Sequence, residues 1–116
     1  MAAELSVTAG IWEGCWLVSA VGEIDPSTAS LLDQALSAAP WRLPIILDLS
    51  SVVSIAPSAL QSMLVERKGR RRLAVVRSLH ASTGVADVMG ANGSAAMFDH
   101  LLTAINAAKR RKLRLR

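Results

Sequence analysis

Apolar residues in this chain either alternate with polar ones or run together in short blocks, and the spacing changes from segment to segment. Four segments rich in Val, Ile, Leu and Trp predict strands. They are residues 4–12, 15–21, 45–49 and 73–76. The first two are joined by a turn at Glu13-Gly14, which predicts a hairpin. The runs IILDL (45–49) and LAVV (73–76) show no alternation, which is typical of strands covered on both faces.

Helical spacing of apolar residues predicts a first helix after the second strand. Asp25 is a favourable N-cap, Pro26 suits the first helical position, and Pro40 ends the pattern. The residues that fall on one face of this helix are Ala29, Leu32, Ala35, Leu36 and Ala39. We expect that face to pack on the sheet.

Three further helices are predicted downstream. The second begins near Ser58, turns Leu60, Met63 and Leu64 inward, and stops at Gly69. A short third helix is capped by Thr83 and carries Val85, Val88 and Met89. The last is capped by Ser94, with a stripe of Phe98, Leu101, Leu102 and Ile105 that ends near Ala108.

The order strand, strand, helix, strand, helix, strand, helix, helix predicts an α/β fold. We expect a mixed, largely parallel sheet with right-handed crossovers and helices covering it. With 116 residues and 52% hydrophobic composition, the chain is predicted to form one compact domain, residues 1–108. Residues 109–116 (KRRKLRLR) are predicted to be an unpacked basic tail, because Lys112 falls where the next apolar residue is due.

The formal net charge of +4 is concentrated in two places. Residues 109–116 hold six of the thirteen basic residues, so residues 1–108 carry seven basic against nine acidic groups. A second basic cluster lies at 67–72. Both clusters suit phosphates or an acidic partner, and equally a solvated turn and a frayed terminus. For residues 109–116, contact with nucleic acid or an anionic membrane is a further alternative. Neither holds an aromatic residue for base stacking, so we do not expect direct nucleic-acid binding.

The sequence also gives expectations for the cellular compartment of the protein and for enzyme activity. No apolar run approaches the roughly 18–20 residues of a membrane span, and the first ten residues do not resemble a secretory signal. Cys15, the one cysteine, is expected to be a small buried apolar residue in a reducing cytoplasm. The two histidines, His80 and His100, lack the partners of a catalytic triad or zinc site. We therefore expect no enzyme activity and no cofactor.

A lone hydroxyl stands where a strand meets a helix, in APSAL (56–60). Ser58 and Gln61 have the spacing of a capping box, which by itself indicates an ordinary helix cap. The same position favours a second role, because a helix N-terminus tolerates a phosphate on Ser58. If both helices start at the same edge of the sheet, Asp25 and Ser58 lie on one rim, where α/β proteins place their sites.

The segments GEID (22–25), LDLSSVVSI (47–55) and APSAL (56–60) resemble the STAS family, the anti-sigma factor antagonist domains. The resemblance covers about residues 4–108 and implies a STAS-like (SpoIIAA-like) fold, with four to five strands and about four helices. In the family, the turn usually reads Asp-Ser-Ser-Gly-Leu, and its second serine is phosphorylated. Ser58 matches that serine, while Ala56, Pro57 and Ala59 replace the Asp, the first Ser and the Gly.

By that resemblance the chain binds an anti-sigma factor of the serine kinase type and frees a sigma factor for bacterial transcription. Phosphorylation of Ser58 would end the binding. The residues expected to contact the partner are Asp25, Ser27, Ala56, Pro57, Ser58, Ala59 and Gln61. The alternative is a non-phosphorylated interaction module in a stressosome-like or lipid-transport ATPase complex. In either case we expect a monomer or a weak homodimer.

Overall fold

The computed structural model of the chain describes residues 4–59, 73–76, 95–98 and 100–114. These ranges contain five strands and two helices: β1 (Leu5–Trp12), β2 (Cys15–Ile24), α1 (Ala29–Ser37), β3 (Ile45–Ile55), β4 (Leu73–Val76), β5 (Ala95–Phe98) and α2 (Leu101–Arg114). A helical turn at 57–59 directly follows β3. The predicted helix at Thr83 and the continuation of the helix from Leu60 to Gly69 lie outside the described residues.

The strands form one mixed sheet in the order β1-β2-β3-β4-β5. β1 is antiparallel to β2, and the other neighbouring strands are parallel. The hairpin between β1 and β2 closes at Trp12 and Cys15, with Glu13 (φ 52°) and Gly14 (φ 75°) in the left-handed region that a two-residue hairpin requires. The predicted α/β class and the largely parallel sheet of four to five strands are thus confirmed.

A helix packs on each face of the sheet, which explains why residues 45–49 of β3 and the whole of β4 are mainly apolar without alternation. On one face α1 packs against β1 and β2, and the core there includes Leu36 and Leu47. On the other face α2 packs against Ile46 and Val76. Cys15 is fully buried on the α2 face, as expected of a small apolar residue.

The apolar face predicted for α1 is confirmed. Leu32 and Leu36 are fully buried, and the three alanines of that face pack at the margin of the same core. Trp16 of β2 adds a specific link, because its indole Nε1 donates a hydrogen bond of 2.9 Å to the carbonyl oxygen of Ala35. This bond fixes the carboxyl-terminal half of α1 over the sheet.

The prediction that Ser94 caps the last helix and that Phe98 lies on its apolar stripe is wrong. Ala95–Phe98 is strand β5, paired in parallel with Leu73–Val76, and the helix begins at Leu101. A four-residue apolar run has too little length to show a period, so sequence alone does not separate the two structures. The pairing with β4 decides in favour of the strand.

Helix α2 also continues beyond Ala108, through the first six residues of the predicted tail, to Arg114. Lys109 lies within this extension, and its Nζ is 3.2 Å from Oε2 of Glu13 in the β1–β2 turn. Both side chains are about half exposed, so the pair contributes little to stability. Across the described ranges, no helix is both long and apolar enough to cross a membrane.

Candidate functional site

Strands β2 and β3 end side by side. Ile24 and Ile55, the last residue of each strand, are partners in the parallel ladder, and the N–H of Ala56 donates a 2.8 Å hydrogen bond to the carbonyl oxygen of Ile24. The segments that follow, 25–28 and 56–59, therefore leave the sheet at the same edge. We call these two segments the rim. Asp25 and Ser58 belong to it, at the position where parallel α/β sheets carry their sites.

The Asp25 carboxylate organises the first rim segment. Its Oδ1 accepts hydrogen bonds from the Ser27 N–H (2.8 Å), the Ser27 hydroxyl (2.6 Å) and the Thr28 N–H (3.1 Å). The Ser27 hydroxyl is the main reason that the pKa of Asp25 lies below its usual value, with smaller contributions from the two N–H groups and the Thr28 hydroxyl. Partial desolvation opposes this lowering without overcoming it. The rim therefore carries a negative charge at neutral pH.

Thr28 is buried beneath this turn and was not predicted to matter. Its Oγ1 accepts a 2.9 Å hydrogen bond from the N–H of Asp25 and donates one of 3.0 Å to the carbonyl oxygen of Glu23. Together with the bond from the Thr28 N–H to Asp25 Oδ1, this forms a reciprocal capping box. The sequence signal was present in the Asp-x-x-Thr spacing of residues 25–28.

Helix α1 begins three residues later than predicted, at Ala29 instead of Pro26. Residues 26–28 form a turn, within which Asp25 acts as the cap. The Ala29 N–H donates to the carbonyl oxygen of Asp25 at 2.9 Å, so the hydrogen-bonding pattern of a helix already starts there. Asp25 thus has the capping role expected of it, although it caps the turn that leads into the helix.

The second rim segment places a hydroxyl in the open. The helical turn starts at Pro57, so Ala56 occupies the capping position and Ser58 is the second residue of the turn. Ser58 is exposed, whereas Ala59 is buried in the core on the α1 side. The prediction of Ser58 as the N-cap is therefore wrong. Proline is favoured at a first helical position, which explains the shift. Gln61, its proposed capping partner, lies outside the described residues.

Two exposed valines lie on the strands that lead to the rim and were not predicted. Val21 of β2 is 55% exposed and Val53 of β3 is 56% exposed. Val53 stands unpaired where the β2–β3 register shifts between Gly22 and Glu23. Such a bulge bends a strand and redirects a side chain. The sequence contains a signal for the exposure of Val53. Val52 and Val53 are adjacent, and neighbouring residues of a strand point to opposite faces of the sheet.

Gly22, in the same part of β2, has a backbone conformation and a close contact that favour glycine. Its φ of 119° is a conformation that residues with a side chain rarely adopt. A Cβ built on Gly22 would also collide with the carbonyl oxygen of Glu4, the atom that accepts a hydrogen bond from the N–H of Glu23. The glycine in GEID therefore permits a close approach between the start of β1 and the end of β2.

Within the part of the chain that the structure describes, no three His, Cys, Asp or Glu side chains group so as to hold a metal ion. His100 is exposed just before α2. His80 lies outside the described residues.

No protein-family model and no curated protein matches the chain. Among solved structures, the chain is similar to an anti-sigma factor antagonist from Mycobacterium paratuberculosis. The match has a TM-score of 0.70 at 23% identity and covers 91% of this chain and 95% of the other.

A second similar structure is an uncharacterised protein from the DUF3478 family with a SpoIIAA-like fold, from Shewanella loihica PV-4. It matches with a TM-score of 0.55 at 12% identity, over 93% of this chain and 96% of the other. At these identities the likeness establishes the fold. Within it, the segment GEID lies at the end of β2, and the segment APSAL begins where β3 meets its helical turn. The chain therefore has the SpoIIAA-like fold.

Proposed function

We propose that this protein is an anti-sigma factor antagonist. Its rim would dock on an anti-sigma factor of the serine kinase type, in the cytoplasm of a bacterial cell, and so free a sigma factor for transcription. The observation that carries the proposal is the exposed Ser58 hydroxyl, on the same sheet edge as the charged Asp25 turn. The similar structure from Mycobacterium paratuberculosis, described as an anti-sigma factor antagonist, supports the same role.

The rim has the properties of a preorganised docking surface. Pro26 and Pro57 are both exposed and restrict the backbone in each segment, so little conformational entropy is lost on binding. The reciprocal bonds between Asp25 and Thr28 hold the first segment in one shape. Val21 and Val53 offer apolar area at the margin of this polar centre. This combination suits a partner whose surface is complementary to the rim in shape as well as in charge.

Phosphorylation of Ser58 would act as the release step. A phosphoserine carries about −1.5 to −2 charges at pH 7, on a rim where Asp25 is already negative. Because Ser58 is exposed in the helical turn at 57–59, a phosphate on it would project into solvent and the domain would stay folded. The cost would instead fall on the bound complex, through repulsion and desolvation in the contact. A loss of 1–2 kcal/mol weakens binding by roughly five- to thirty-fold.

Binding to candidate anti-sigma kinases tests the proposal, measured by calorimetry with and without ATP. We expect the wild type and Ser58→Ala to bind, and Ser58→Asp to bind roughly five- to thirty-fold more weakly. Asn106→Asp, exposed on α2 and away from the rim, is the matched charge control and should bind like the wild type. If folded protein binds none of these kinases, the proposed function is wrong.

Ala56 and Pro57 favour a second candidate function. They place an alanine and a proline at the positions before Ser58, so this part of the rim carries neither a carboxylate nor a second hydroxyl. A module that assembles a stressosome-like or lipid-transport ATPase complex without phosphorylation needs neither group. Mass spectrometry after incubation with kinases separates the two functions. Phosphate on Ser58 supports the first, and partner binding that ATP and Ser58→Ala both leave unchanged supports the second.

A further inference from the structure

Strand β1 forms an open edge of the sheet. Among the described residues, β2 is the strand that pairs with it. The two-residue hairpin makes Trp12 and Cys15 a hydrogen-bonded pair, so even-numbered residues of β1 direct their backbone groups towards β2. The bond from the Glu23 N–H to the Glu4 carbonyl oxygen fits this alternation. The odd-numbered residues therefore direct theirs away from the sheet. These are Leu5, Val7, Ala9 and Ile11.

The edge also lacks the features that usually prevent strand pairing. β1 is eight residues long, contains no proline, lysine or other charged residue, and pairs with β2 without a register shift. Ile11 is 66% exposed and Trp12 is 43% exposed at its end. A long, regular and partly apolar edge of this kind is a template for another strand.

We propose that β1 is a homodimerisation edge, where two copies of this chain pair antiparallel about a two-fold axis at Thr8. A two-fold axis normal to the sheet places the α1 faces of the two copies on the same side of the joined sheet. Odd-numbered residues of β1 have their side chains on that face, so they pair with odd-numbered residues of the second copy. The register centred on Thr8 uses every outward-directed backbone group of the strand. It pairs Leu5 with Ile11 of the second copy and Val7 with its Ala9, each pair exchanging two hydrogen bonds.

The side chains are complementary to themselves in this register. On the α1 face, the leucine–isoleucine and valine–alanine pairs are apolar against apolar, and they cover the exposed Ile11. On the opposite face, Thr8 meets Thr8 across the axis, a pair that strands favour. The neighbouring registers that the two-fold axis allows are shifted by two residues, and they leave either Leu5 or Ile11 without a partner in the strand of the second copy.

Helix α1 fits the same arrangement. It contacts both β1 and β2. We therefore place its axis over the space between these two strands, about one strand spacing from the proposed two-fold axis. With strands about 4.8 Å apart, the two α1 helices of the dimer lie about 10 Å apart. That separation is within the range of about 8–10 Å for packed helices. The rim, formed by the ends of β2 and β3, stays open in both copies, so this proposal is independent of the proposed function.

Light scattering and sedimentation over a concentration series test the dimer. We expect wild-type protein to dimerise, and Thr8→Lys to raise the dissociation constant at least tenfold, because two like charges then face each other across the axis. Asn106→Lys adds the same charge on α2 and should dimerise like the wild type. A wild type that stays monomeric at several hundred micromolar, or a dimer indifferent to Thr8→Lys, would overturn the proposal.

Disulfide trapping tests the register itself. Facing residues of a non-hydrogen-bonded pair have Cα atoms about 4.5 Å apart, within the range of a disulfide. Thr8→Cys should therefore form a covalent dimer under mild oxidation. Ser6→Cys should not, because its two copies lie about 13 Å apart along the strands. Equal cross-linking of both variants would refute the register. The native Cys15 is fully buried, so it does not compete.

Discussion

Thr28 links the end of β2 to the start of α1, so removing its hydroxyl tests whether the rim is held by a few specific bonds. Thr28→Val keeps the shape of the side chain and deletes the acceptor of the Asp25 N–H (2.9 Å) and the donor to the Glu23 carbonyl oxygen (3.0 Å). Thr28 is 5% exposed and both hydrogen bonds are partly buried, so water replaces Thr28 only in part at the two abandoned backbone groups.

The expected cost follows from these two bonds. A hydrogen bond contributes about 1 kcal/mol net, and a buried group left unpaired costs about 1–3 kcal/mol. Because both partners are only partly buried, we expect Thr28→Val to lower the free energy of unfolding by about 2 kcal/mol. This corresponds to a fall of about 8 °C in Tm for a chain of this size.

Urea unfolding followed by circular dichroism measures the effect. With m-values of about 1–3 kcal/mol/M, the midpoint should fall by roughly 0.7–2 M at unchanged slope. Thr103→Val, the same change at an exposed position of α2, is the matched control and should stay within about 0.5 kcal/mol of the wild type. If Thr28→Val is as stable as this control, the rim is not organised by the Thr28 hydroxyl.

Three other predictions rest on single features. Leu36→Ala should cost about 2–5 kcal/mol, because Leu36 is fully buried, whereas Leu31→Ala, at a position 47% exposed, should cost under about 1 kcal/mol in the same unfolding assay. Gly22→Ala should destabilise the domain by at least about 1–3 kcal/mol through its positive φ alone; wild-type stability would contradict the role assigned to Gly22. The pKa of Asp25 is lowered in the folded state, so its charge stabilises the fold above the ordinary aspartate range, and that contribution is lost as the pH falls through the folded pKa. NMR titration should give a low midpoint for Asp25, which Ser27→Ala should raise.

The sequence predicted some elements closely because their signals were local. β4 was predicted with its observed bounds, since a short buried run between polar segments leaves little choice. The face of α1 was also correct, because two fully buried leucines four residues apart define it. The rim could be anticipated in outline, since parallel neighbouring strands end at the same edge.

What the sequence did not reveal depended on contacts between segments. β3 continues six residues beyond Leu49, because the register shifts let the serine-containing stretch stay paired with β2. In the sequence alone, residues 95–98 cannot be told apart from one turn of a helix. The pairing with β4 shows that they form a strand, β5. The capping box was expected at Ser58 and occurs at Asp25 and Thr28. In the second segment the helical turn starts at Pro57, so Ala56, two residues before Ser58, takes the capping position.

The proposal that the rim binds an anti-sigma factor, and that Ser58 controls the binding, has one most direct test. An unbiased pull-down from the native host, with Ser58→Ala and Ser58→Asp as paired baits, compares the rim with and without a charge on that residue. We expect an anti-sigma kinase to be retained by Ser58→Ala and depleted on Ser58→Asp. Equal retention of the same partners by both baits would contradict the control by Ser58, and the absence of any such kinase from both would contradict the function.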